Sequence, residues 1–278
     1  MPTSTVIPSR PTDPTNARST RITITVIAAL TVLLSLGGLS ASSIAAAVDR
    51  ADFEEIPLRQ SIGTPTALDL DSGVGQVRVQ VSEAVDEIEL GLVDRGSTTL
   101  TDTDDTTQGH WEITEEGTGD NAETSVTLQR PNFQGNIGWA LGDSLDLLVV
   151  IPTELSESLD LSVRNSVGNI EASGSFERLQ VSTNVGSMYL PAVAASEELV
   201  AQGQVGQLQI GLTEDHRADV IARLDVGNVD VTVPCCEAWS VRVTNEVGEL
   251  DVDSDLREGS GPTIVARTNV GDVTVERR

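Results

Sequence analysis

The sequence predicts an all-β protein: a single β-solenoid domain with coils near 20 residues long, preceded by one apolar N-terminal helix. Three observations predict it. First, Val-Gly recurs in GVGQVRV (73–79), SVGNIEA (166–172), NVGSMYL (184–190), QVGQLQI (204–210), DVGNVDV (225–231), EVGELDV (246–252) and NVGDVTV (269–275). The last six of these glycines are spaced 18, 20, 21, 21 and 23 residues apart, and self-similarity at such a period marks stacked repeats. Second, the residues two after glycine (Ile170, Met188, Leu208, Val229, Leu250, Val273) and four after (Ala172, Leu190, Ile210, Val231, Val252, Val275) are apolar. Those between are polar except Tyr189, and this period-two alternation is a strand with one buried face. Third, alternating runs also precede the corners: LDLSV (159–163), LQVST (179–183), WSVRV (239–243) and IVART (264–268).

Each coil is therefore two short strands joined at a Val-Gly bend. The predicted corners are Gly75, Gly168, Gly186, Gly206, Gly227, Gly248 and Gly271. Glycine supplies the backbone freedom a sharp corner needs, and the valine before it is expected to point into the corner. One coil alone buries too little apolar surface to offset its ordering entropy, so stability is collective along the stack. An antiparallel sandwich also shows short alternating strands, but has no reason to repeat one dipeptide at one bend.

Taken in chain order, residues 1–21 are rich in Pro, Thr and Ser and read as a disordered cytoplasmic tail. Residues 22–48 carry no charge and form a transmembrane signal-anchor, long enough to span a bilayer. Ala45 and Ala47 also offer a small-residue cleavage site, which makes a cleaved signal the alternative. Arg10, Arg18 and Arg21 precede this stretch and Asp49, Asp52, Glu54 and Glu55 follow it, so the N-terminus stays inside and the rest is exported. Residues 49–61 read as linker and 62–278 as the repeat domain. Within it, 62–152 is the same sheet system with longer excursions, capping the stack. At the other end Glu276, Arg277 and Arg278 are expected to discourage edge pairing.

The chain has 17 basic and 43 acidic residues, a net charge of −26. Three arginines and Asp13 lie before residue 49, leaving 14 against 42 in the exported part. Such a surface repels nucleic acid and anionic lipid. There is no lysine, which excludes phosphate loops ending in Gly-Lys, lysine Schiff bases and Ser-Lys pairs.

No concentrated catalytic motif is present. His110 and His216 are far apart in sequence with no partner motif, and read as surface imidazoles. Cys235 and Cys236 are adjacent. Neighbouring Cα atoms sit about 3.8 Å apart, short of the disulfide range, so they read as thiols at a corner, with a redox-active or intermolecular pair as the alternative. The outward acids Asp230, Glu249, Asp251 and Asp272 are expected to stack on one face, leaving divalent-cation bridging open. DTDD (102–105) lacks the glycine and terminal Glu of a calcium loop and reads as a solvated tip. No cofactor is called for.

With LDLLVVIP (145–152) followed by LDLSVRNSVGNIEASGSFERLQVSTNVGSMYLP (159–191), the chain resembles the bacterial adhesin-type family of β-strand-repeat envelope proteins. The resemblance covers roughly residues 62–278 and implies a right-handed β-solenoid on the cell envelope. The expected function is a membrane-tethered, non-catalytic adhesion or assembly surface whose partner is an envelope protein, a glycan or a second copy. The alternatives are a polysaccharide-acting β-helix enzyme and a self-assembling or regulatory scaffold using an open C-terminal coil.

Overall fold

The structure, a computed structural model, describes residues 54–101, 105–117, 122–129, 145–235, 238–256 and 259–278. The tail 1–21, the apolar stretch 22–48, residues 102–104 of the Asp-rich tip and Cys236 lie outside them. Among the described residues no helix is long and apolar enough to cross a membrane.

The described chain is all-β. Its strands are β1 (Glu54–Pro57), β2 (Arg59–Ser61), β3 (Ala67–Val74), β4 (Val77–Ser82), β5 (Glu89–Val93), β6 (Thr106–Glu116), β7 (Glu123–Gln129) and β8 (Asp146–Pro152). After a single helical turn come β9 (Asp160–Val167), β10 (Ile170–Val185), β11 (Met188–Leu212), β12 (Asp219–Val233), β13 (Ser240–Thr244), β14 (Leu250–Val252), β15 (Thr263–Val270) and β16 (Val273–Arg277). Residues 54–61, read from the sequence as linker, thus hold two short strands.

Strands preceding the corners pair in the order β1-β6-β7-β3-β9-β10-β11-β12-β15-β13, a path that does not close. From β7 to β13 every pairing is parallel. Strands following the corners form a second parallel ladder from β8 through β4, β10, β11, β12 and β16 to β14. The strands of an antiparallel sandwich would alternate in direction; those of these two ladders do not, and antiparallel pairing is confined to β1–β6, β6–β7, β2–β5 and β5–β8. Register is coil on coil: Leu199 lies beside Val220 and Leu179, and Leu208 beside Val229. Their inward side chains form one continuous apolar core.

All seven predicted corner glycines have positive φ, between 124° and 157°. They also lie over one another. A Cβ built on Gly168 would sit 2.0 Å from the Gly75 carbonyl oxygen, and on Gly186 1.9 Å from that of Gly168. The same holds for Gly206 on Gly186 and Gly227 on Gly206, both at 1.7 Å.

The residue three before each glycine takes the inward place at the corner. Ser72, Asn165, Thr183 and Thr268 are all buried there. Each of the last three reaches the glycine carbonyl of the coil beneath: Asn165 Nδ2 donates to Gly75 O at 2.8 Å, Thr183 Oγ1 to Gly168 O at 3.4 Å, and Thr268 Oγ1 to Gly227 O at 2.9 Å. Where the sequence places Gly203 and Leu224 instead, a larger side chain fills the smaller one's space: a Cβ on Gly203 would stand 2.8 Å from Leu224 Cδ2. Outside the corner, Asn169 Oδ1 accepts from Ser187 N–H and Asn228 Oδ1 from Asp272 N–H, both at 3.0 Å. Replacing Thr268 by the isosteric valine removes one buried donor, and urea melts are expected to show a loss of about 1 kcal/mol.

The coils are not stacked in chain order. A Cβ on Gly271 would meet Gly227 O at 2.1 Å, and one on Gly248 would meet Gly271 O at 1.9 Å. The last coil of the chain, β15–β16, therefore lies between β12 and the β13–β14 coil. This corrects the expectation that Glu276, Arg277 and Arg278 end the stack. Burial follows the swap. Ile264, Ala266, Val273 and Val275 are at most 1% exposed, whereas the outer coil carries Val241 at 8%, Val252 at 9% and Leu250 at 40%. The chain returns inward beneath Ala238 and Trp239 through Gly259 and Gly261, where a Cβ would come within 1.8 Å of their carbonyl oxygens.

Candidate interaction surface

The corner that buries its polar residue exposes its valine. Val74, Val167, Val185, Val205, Val226, Val270 and Val247 are successive register partners down the stack. Val74, Val167, Val185 and Val247 are 51%, 41%, 43% and 46% exposed. This corrects the expectation that valine points into the corner. Strand alternation breaks at the bend, so the inward place falls to the residue three before glycine. The result is an outward column of β-branched side chains that pack along the stack, four of them about half-exposed and Val205, Val226 and Val270 partly buried. Tyr189 is 48% exposed on the outer face of the adjoining ladder. Exposed apolar residues arranged contiguously, as opposed to singly, mark interaction sites.

Arginines break up the surrounding acidity. Arg78 pairs with Glu171 at 3.0 Å, Arg164 with Asp69 at 2.5 Å, and Arg178 with Asp160 at 2.7 Å and with Glu197. Each joins neighbouring coils, and each contributes little individually because these groups are partly solvated.

The expected stack of outward acids is interrupted. Thr274 stands in register between Asp230 and Asp251 as a consequence of the coil swap. Asp272 Oδ1 accepts the Glu249 backbone N–H at 2.8 Å, so this carboxylate serves the corner. Among the described residues no cluster of three His, Cys, Asp or Glu side chains could hold a metal ion. Cys235 is exposed. With Thr213, Glu214, Asp215, Pro234 and Arg278 it lines an open depression of about 410 Å³.

His216 is not a surface imidazole. It is fully buried, its Nδ1 accepting the Ala195 N–H at 3.0 Å and its Nε2 lying 2.9 Å from Ala218 O. The neutral tautomer protonated at Nε2 satisfies both partners. The ring sits 5.8 Å from that of Trp239. Burial, and then the nearby Arg217 charge, hold its pKa below the ordinary 6.5, against the Ala218 hydrogen bond, which raises it. A depressed folded pKa means that the unfolded chain takes up the proton first as pH falls. Stability from this group is thus complete above pH 6.5 and is lost as pH drops below that value towards the folded pKa. Urea midpoints measured against pH are expected to fall on acidification below about 6.5, with a shallower slope in His216→Gln. His110, in β6, is half-buried.

The corner glycines were found from sequence; the buried polar column and His216 were not. A signal for the column existed in Val163-x-Asn165, Val181-x-Thr183 and Ala266-x-Thr268, where a polar residue falls on the apolar parity. For His216 there was none, since its partners Ala195 and Trp239 are remote in the chain.

No family model and no curated protein matches the chain. Among solved structures it is similar to a protein from Clostridium sporogenes named "putative cell adhesion protein", at 12% identity and a TM-score of 0.46. The alignment covers 81% of this chain and all of that one.

Proposed function

We propose that the chain is a membrane-tethered, extracytoplasmic β-solenoid whose flank is a non-catalytic adhesion or assembly surface of the cell envelope. The observation that carries this is the in-register valine column, in which Val74, Val167, Val185 and Val247 stand half-exposed on an otherwise acidic, polar exterior. The corner's own polar side chains are used to hold coil to coil, so the outward row is what the repeat offers to a partner. The stretch 22–48 supports the tether through its length and lack of charge.

The test is binding of chain-coated beads to intact cell envelopes. A variant carrying Val74→Thr, Val167→Thr and Val185→Thr keeps β-branched shape and removes apolarity. It is expected to melt like the parent and to bind several-fold less, on the order of tenfold. Equal binding by parent and variant sinks this assignment of the surface. Turnover in a glycan screen, abolished by a single carboxylate change, would replace it with the enzymatic alternative.

A further inference from the structure

The His216 imidazole stands between an inner turn and the outermost coil. The turn 213–218, which links β11 to β12, is docked on Ala195 by three hydrogen bonds. Ala195 O accepts the Arg217 N–H at 3.0 Å and the Ala218 N–H at 3.2 Å, and Ala195 N–H donates to His216 Nδ1 at 3.0 Å. The ring also meets that of Trp239, and both side chains are fully buried. Trp239 leads directly into β13. Among the described residues β13 pairs only β15 and β14 only β16, so this coil is held from one side. The coils inside it are paired on both.

We infer that His216 is an acid-sensitive latch: its protonation frees the 213–218 turn from Ala195, uncovers Trp239 and releases β13–β14 from β15–β16 while the inner coils stay folded. A proton taken from solvent at Nδ1 turns an acceptor into a donor that points at the Ala195 N–H, itself fixed by the β11 backbone. The imidazolium would keep one hydrogen bond, to Ala218 O, and has no ion-pair partner among the described residues. Relief requires water at the ring, hence separation of the turn from Ala195 and of Trp239 from His216. Residues 240–252 follow Trp239 because they have the least other support. The charged and titratable groups on the packed elements are Glu214, Asp215, Arg217 and Asp219 along the turn and its exit, all exposed, with Cys235 and Arg278 across the open depression. Between Val193 and Ala195 β11 brings none. Burial disfavours the imidazolium most; the Ala218 carbonyl favours it, and Arg217 disfavours it. The closed form thus holds the proton less tightly than the open form, and opening grows as pH falls below 6.5. This local release goes beyond the general loss of stability in acid, and it stands apart from the valine column.

The test follows amide hydrogen exchange in the full chain in detergent at two pH values, about 7.5 and about 5.0, each rate divided by the intrinsic rate at that pH. Opening at 213–218 and 240–252 is expected to rise by up to about thirtyfold, the limit for a histidine of ordinary pKa in the open form, while β9 and β10 stay protected. His216→Gln keeps an acceptor and a donor without titrating, and is expected to abolish the rise, which separates the latch from nearby carboxylates. If that variant does not fold, the imidazole nitrogen shifts of the parent decide: protonation of His216 is expected to coincide with loss of protection at 240–252. Four results overturn the inference. They are unchanged protection at 240–252 in acid, an equal rise in His216→Gln, loss of protection throughout the stack at once, and a protonated His216 with β13 still protected. The last is what cation–π attraction to Trp239 would give if it held the ring in place.

Discussion

Gly227→Ala is expected to lower the unfolding free energy by at least about 3 kcal/mol, the range of a backbone clash that neighbours cannot relieve. Two causes act together. The residue holds φ at 130°, and an added Cβ would sit 1.7 Å from the Gly206 carbonyl oxygen. That oxygen belongs to a backbone fixed by pairing on both sides, so the coils would have to part. Gly73, two residues from the corner glycine of its own repeat, is the control. Nothing lies within 4 Å of its Cβ position, and Gly73→Ala is expected to change stability by less than about 1 kcal/mol. Urea melts followed by circular dichroism compare the two. A Gly227→Ala midpoint equal to the parent's would mean that the glycine column does not set coil contact.

Trp239→Ala is expected to cost about 3 to 5 kcal/mol, as deletion of a fully buried aromatic does. Trp239 heads the largest fully buried side chains of the core, and its ring faces that of His216. It also anchors the outermost coil, which β15 alone holds at β13 among the described residues. Loss of protection from hydrogen exchange should therefore begin at residues 240–252, ahead of global unfolding. Its indole N–H has no protein acceptor among the described residues. Trp239→Phe accordingly gives up volume only and is expected to cost about 1 to 2 kcal/mol. Equal exchange throughout the stack in Trp239→Ala would show that the outer coil is held elsewhere.

These expectations separate what could be read from the chain from what could not. The corner glycines were legible because only glycine tolerates both the φ and the contact, so the chain must place it at every bend. The inward aliphatics were legible because strand parity is local. Parity misled at the bend itself, where the chain turns between two ladders and valine emerges on the outside. His216 was illegible in TEDHRAD, a polar turn sequence whose burial depends on the remote Trp239. The Asp230–Asp251 stack failed for a larger reason: it assumed that adjacent copies in sequence are adjacent in space.

The sequence by itself determined that the domain is all-β, where each coil bends, and which side chains line its interior, because these follow from a two-residue period and from the unique freedom of glycine. Only the tertiary structure decided the order of the last two coils, the outward turn of the valines and the enclosure of His216. Coils with the same corner can pair with any neighbour in register, so local pattern does not rank them. Which coils meet in space sets the order, and it leaves Ile264, Ala266, Val273 and Val275 enclosed and Val241, Leu250 and Val252 at the edge.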